Sequence, residues 1–179
     1  MASVVTEVST SWITQKTWST GELVTASNLN TYLRDGMGAL KNPAYFKCEI
    51  DEASNYTTTS TTFADIDATN LAPTITTGGG VVELHFIFTA KNSTANEFVQ
   101  FTFDVDGSPV AGDDGIASAS QASLDTGGII HLSWLVTGLS AGAHTFKPQW
   151  KVSGGTGTLF AGAGTADLDV HPIFWGMER

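Results

Sequence analysis

Basic residues are scarce in this sequence. Eight Lys and Arg stand against 18 Asp and Glu in 179 residues, a net charge of −10 at pH 7, and none of the eight cluster. Gripping nucleic acid requires grouped Lys/Arg that release counterions, so direct DNA or RNA binding is not expected. Anionic membrane surfaces are disfavoured for the same reason. No apolar run approaches the roughly 18 residues of a membrane-spanning helix. The start, Met1-Ala2-Ser3-Val4-Val5-Thr6-Glu7, lacks a basic n-region and an apolar h-region, so no signal peptide is expected. One cysteine, Cys48, cannot close an internal disulfide, which fits synthesis in a reducing cytosol.

Polarity comes from hydroxyls and glycine instead: 25 Thr, 15 Ser and 19 Gly, with charged residues at only 15%. Thr suits half-buried pleated strands and Gly suits turns, and 41% hydrophobic residues supply a core. The pattern divides the chain at Pro43. Residues 1–24 are polar, carry Trp12 and Trp18, and read as an extended arm. Thr25 is placed to cap a helix on which Leu29, Leu33, Met37 and Leu40 form one apolar stripe beside Tyr32, ending at Asn42-Pro43. Gly36 and Gly38 weaken that helix by about 1 kcal/mol each, so packing rather than propensity must hold it.

Residues 44–179 change to period two. Val82-Leu84-Phe86-Phe88, Val99-Phe101-Phe103-Val105, Ile130-Leu132-Trp134-Val136 and Phe146-Trp150-Val152 each mark an inward face; Leu168, Val170 and Phe174 end the series. Shorter candidates are 45–50, 62–67, 71–76 and 158–161. Glycine turns separate them, among them Asp106-Gly107 and Gly154-Gly155. Eight or nine short strands predict an all-β, antiparallel two-sheet sandwich of jelly-roll type behind an arm and one short amphipathic helix: residues 1–43 for docking and assembly, 44–179 as the sandwich domain. The outward faces also carry apolar residues, Ile87, Phe98, Ile129 and Leu135. These are either scattered surface residues or a subunit contact.

Catalytic patterns are thin. No Gly-x-Ser-x-Gly elbow precedes a helix. Cys48 lies in a strand-like stretch and reads as a buried thiol. His85, His131, His144 and His171 fall on different strands without metal-ligand spacing. Asp104, Asp106, Asp113 and Asp114 form the densest acidic run, either a loop Ca²⁺ site or a hairpin turn followed by a solvated loop. The Gly154–Gly157 run precedes a strand and reads as a hairpin tip rather than a phosphate cradle. Trp134 and Trp150 fall on the core face, leaving no aromatic platform for a sugar hydrolase. Neither an enzymatic activity nor a cofactor is expected.

The segment Thr17-Trp18-Ser19-Thr20-Gly21-Glu22-Leu23-Val24-Thr25-Ala26-Ser27-Asn28-Leu29-Asn30-Thr31-Tyr32-Leu33-Arg34-Asp35 resembles one that recurs in virion structural proteins of tailed bacteriophages. The likeness covers about residues 17–41; Gly36 stands where family members often have Asn. Residues 56–172 resemble the sandwich portion of such proteins more loosely, through Thr62–Ile66, Asp104–Gly107 and Gly138–Phe146. The resemblance implies a non-enzymatic particle component at the head, neck, tail or fibre, made in the host cytoplasm. Its partners would be other virion proteins of capsid or tail, and, by likeness to appendages, further copies of itself in a trimer. Trp12, Trp18, Leu29, Tyr32, Leu33, Met37 and Leu40 would dock it, with Arg34 able to fork onto a carboxylate. The competing expectation is that this stripe caps the open end of its own sandwich. An acidic chain is repelled by packaged DNA, which favours the outer surface of the virion: a head decoration or spike. The alternative is a tail-fibre or receptor-binding module that binds glycans.

Overall fold

The computed structural model describes residues 3–7, 16–37, 43–120, 127–162 and 170–179. Its strands run in chain order as β1 (Ser3–Glu7), β2 (Tyr45–Glu49), β3 (Tyr56–Thr58), β4 (Ala64–Asp65), β5 (Thr74–Thr77), β6 (Gly80–Asn92), β7 (Val99–Val105), β8 (Ser108–Pro109), β9 (Ala117–Ala119), β10 (Gly128–Leu139), β11 (Gly142–Val152), β12 (Gly157–Leu159) and β13 (Ile173–Glu178). One helix, α1 (Ala26–Leu29), precedes β2 and runs on as a π-helical turn over Asn30–Asp35.

The strands form two antiparallel sheets. Eight of them, β2, β5, β6, β7, β9, β10, β11 and β13, make the frame. One sheet has the order β2-β13-β6-β10 and the other β5-β11-β7-β9. Numbered along the chain, these orders are 1-8-3-6 and 2-7-4-5, so successive strands mostly alternate between sheets, as in a jelly roll. The short strands β3, β4, β8 and β12 extend the frame. Ser3–Glu7 pairs with β2, so the first residues of the arm become an edge strand of the first sheet.

Period-two patterning turns one face of each long strand inward. Phe46, Phe86, Phe88, Phe101, Phe103, Phe146 and Phe174 are all buried, and rings from opposite sheets meet: Phe103 on Phe174 at 5.6 Å and Phe46 on Phe146 at 5.8 Å between centroids. Such pairs add about 0.5–1.5 kcal/mol each beyond the area they bury. Trp150 joins this core, as its alternation predicts, and Cys48 is fully buried, which pushes its thiol pKa up to about 12 and leaves it inert as a nucleophile. Val170, by contrast, is 38% exposed, and Leu168 lies outside the described residues.

Two turns illustrate the local rules. Asp106 and Gly107 have φ of +53° and +88°, the pair of positive values that a two-residue hairpin between β7 and β8 requires. The Gly154–Gly157 run, expected as a hairpin tip, instead carries the chain from β11 in the second sheet to β12 in the first, because β12 finds its partners in β3 and β6.

Candidate functional site

Thr25 caps α1 as its position predicts: its backbone is extended and its Oγ1 accepts from the Asn28 amide at 3.1 Å. Beyond Asn30 the helix widens to a π turn, which keeps side chains four to five apart on one side. The arm folds back on this helix through a small cluster. Lys16 pairs with Glu22 and lies over the rings of Trp18 (5.1 Å) and Tyr32 (5.9 Å), and Trp18 meets Tyr32 edge-on at 6.2 Å. The hydrogen bond between Lys16 and Glu22 raises the Lys16 pKa and lowers that of Glu22.

That cluster does not cover the stripe. Leu29, Leu33 and Met37 are 42%, 54% and 62% exposed, and Trp18 itself is 40% exposed. Leu23 and Val24, just before the cap, are also exposed, and the stripe reading had passed over them. Arg34 projects on the exposed side of the helix. Trp12 and Leu40 lie outside the described residues. Among the described residues the stripe does not cap its own sandwich: Leu29, Leu33 and Met37 face solvent.

A second apolar surface lies at the far edge of the first sheet. β10 bonds β6 along one side, and no described strand pairs with its other side. Leu132 and Val136 turn inward and are buried, but Trp134, expected in the core, is 37% exposed. The indole lies on the end strand of its sheet, where the three-residue β9 of the opposite sheet packs against β10. With Glu83, Ser133 and Leu135 it lines an open concavity of about 430 Å³. On the outward side Ile129 is 82% and Leu135 56% exposed, with Ile87 beside them.

The titratable groups sit in satisfied pairs. His85 and His131 stack on neighbouring strands with 3.0 Å between Nδ1 and Nε2. His85 also stands 2.9 Å from Glu83 and lies flat against Trp175. His144 is held by Asp106 Oδ2 at 2.6 Å and the Ser140 carbonyl at 2.9 Å. The hydrogen bond to Asp106 raises the His144 pKa. Burial pushes Asp106 up, but His144 and the Thr145 amide outweigh it and hold its carboxyl below the usual range. Asp104 is buried, accepts from the Gly107 amide and faces Lys147 at 3.5 Å. Asp113 and Asp114 lie apart in a short 3₁₀ turn whose carbonyls engage Lys151 and Gln100. Asp104 is thus a buried β7 residue that braces the Asp106-Gly107 turn, Asp113 and Asp114 belong to the loop beyond it, and no three acidic, His or Cys side chains among the described residues converge as a metal cluster.

No family model and no curated protein matches the chain. Among solved structures, dimeric latent PorU from Porphyromonas gingivalis is similar at a TM-score of 0.38 and 10% identity, over 74% of this chain and 12% of that one. The VP2 subviral particle of infectious bursal disease virus is similar at a TM-score of 0.38 and 8% identity, over 77% of this chain and 38% of that one. The chain spans well under two thirds of either. Its own strand order makes it an all-β sandwich of jelly-roll type.

Proposed function

We propose that this chain is a non-enzymatic structural component of a tailed-phage particle, an outer decoration or spike held through its arm and helix. The observation that carries the reading is the exposed stripe of Leu29, Leu33 and Met37 beside Trp18, in a segment with the virion-protein pattern. Burying one large apolar side chain contributes about 1.5–3 kcal/mol, so a partner groove that takes three of them holds the chain firmly even after ordering costs. The acidic charge favours the outside of the particle, away from DNA.

The test leaves β1 in place, because removing the whole arm would strip an edge strand from the sheet. Full-length chain and a Leu33→Ser/Met37→Ser variant are co-sedimented with particles of the source phage. The wild type is expected to pellet and the variant to lose at least about tenfold in affinity, the equivalent of 1.4 kcal/mol. Undiminished pelleting of the variant sinks the docking role.

The exposed Trp134, with its concavity, supports a second reading, a glycan-binding tip. A glycan array separates the two: a defined sugar bound by wild type and lost in Trp134→Ala favours adsorption to the host surface.

A further inference from the structure

β10 runs twelve residues, Gly128 to Leu139, and contains no Asp, Glu, Lys, Arg or Pro. An open sheet edge is a template for pairing, and free edges are ordinarily blunted by charge, proline, shortness or a covering loop. Its one irregularity is a bulge at Gly138, at the extreme end, which leaves the register from Gly128 to Thr137 unbroken. β10 itself carries no Asp, Glu, Lys or Arg: Trp134 overhangs inward, and Ile129, His131 and Leu135 project outward beside His85 and Glu83 of β6. The adjoining Glu83 is paired with Arg179.

Three features select the occupant. The amides and carbonyls on the side of β10 that no described strand pairs are satisfied by another strand, whereas an apolar helix would leave them unbonded. Among the described strands, the others at sheet ends (β1, β3, β4, β5, β8 and β9) are five residues or shorter, and the long strands β6 and β11 are interior, so β10 is matched in length only by β10 of another copy. And the molecule carries −10, so two copies repel everywhere except where a neutral strip lets them meet. A cationic partner would find no carboxylate on β10 to recognise, nor an acidic one any base. Ile87 on β6 widens the apolar strip beyond β10 itself.

We infer that the open edge of β10 is a self-recognition surface: two copies join β10 to β10 antiparallel about a two-fold axis, continuing the first sheet across both protomers. Such an isologous contact closes as a dimer, which differs from the trimer that likeness to phage appendages implies. The inference does not rest on docking through the arm, and the arm variant Leu33→Ser/Met37→Ser should leave it intact.

Sedimentation equilibrium of the full-length chain at about 10–50 µM tests it, alongside Leu135→Asp, Leu135→Lys and the arm variant, each checked for unchanged far-UV circular dichroism. The wild type and the arm variant should be dimers, and both Leu135 variants should dissociate at least about tenfold more readily. Leu135→Lys lowers the net negative charge, so dissociation there reports on the strip and not on general repulsion. Hydrogen exchange gives the direct readout: the alternate amides of β10 that face away from β6 should exchange slowly in the dimer and fast on dilution. A monomeric wild type, a trimer, a dimer indifferent to both Leu135 variants, or β10 amides that exchange equally fast at all concentrations overturns the pairing.

Discussion

His144 shows how a single side chain ties a turn to a strand. Both ring nitrogens face acceptors, Asp106 Oδ2 and the Ser140 carbonyl, an arrangement that suits the doubly protonated imidazolium. Its pKa is raised in the fold, so the stabilisation is complete below the ordinary histidine value of 6.5 and fades as pH rises through the raised value. The Asp106 pKa is lowered, so its share is present above the ordinary carboxylate value of 3.8 and fades as pH falls through the lowered one. The pair is therefore strongest between those two ordinary values. Thermal unfolding followed from pH 5 to pH 9 should show a decline in Tm across the histidine range. Asp106→Asn keeps the positive φ and an acceptor, and it should flatten that decline; an unchanged slope would show that other groups set it.

At the scale of elements, Gly176 sits mid-strand in β13, where a Cβ would come within 2.6 Å of the Phe46 ring and 2.8 Å of Leu84. β13 lies between β2 and β6, so neither neighbour has room to yield. Gly176→Ala should therefore cost about 1–3 kcal/mol through overpacking, read as a lower denaturant midpoint at constant m. Elements such as this were legible in sequence as far as their information is local. The alternation of β6, β7 and β11, the Asp106-Gly107 hairpin and the Thr25 cap each depend on residues a few positions apart. What was hidden depends on partners far along the chain. The strand formed by Ser3–Glu7 exists only because β2 offers it an edge, and Gly154–Gly157 crosses sheets because β12 pairs with β3 and β6. Trp134 has the period of a core residue, yet on the end strand β10 it stays 37% exposed, a matter of which strands lie opposite. For the candidate site, the stripe of Leu29, Leu33 and Met37 was readable as a helix face; that none of the described residues of its own sandwich cover it was not, since covering is a property of the whole fold.

The whole molecule joins an apolar helix, an uncharged sheet edge and a strongly acidic remainder. That combination makes a prediction about ionic strength. Two copies that meet along β10 bring −10 against −10, with no ion pair on β10 itself to offset the repulsion. The Debye length falls from about 30 Å at 0.01 M salt to about 10 Å at 0.1 M, so salt removes most of the repulsion between charges spread over the two bodies. It leaves the apolar contacts and strand hydrogen bonds nearly untouched. Self-association should therefore tighten severalfold between low and moderate salt. A contact built from complementary charges would behave the opposite way and loosen with salt. Dimer dissociation constants measured by sedimentation at a series of sodium chloride concentrations distinguish the two by the sign of the slope, and weakening with salt would place the contact on charged surface away from β10.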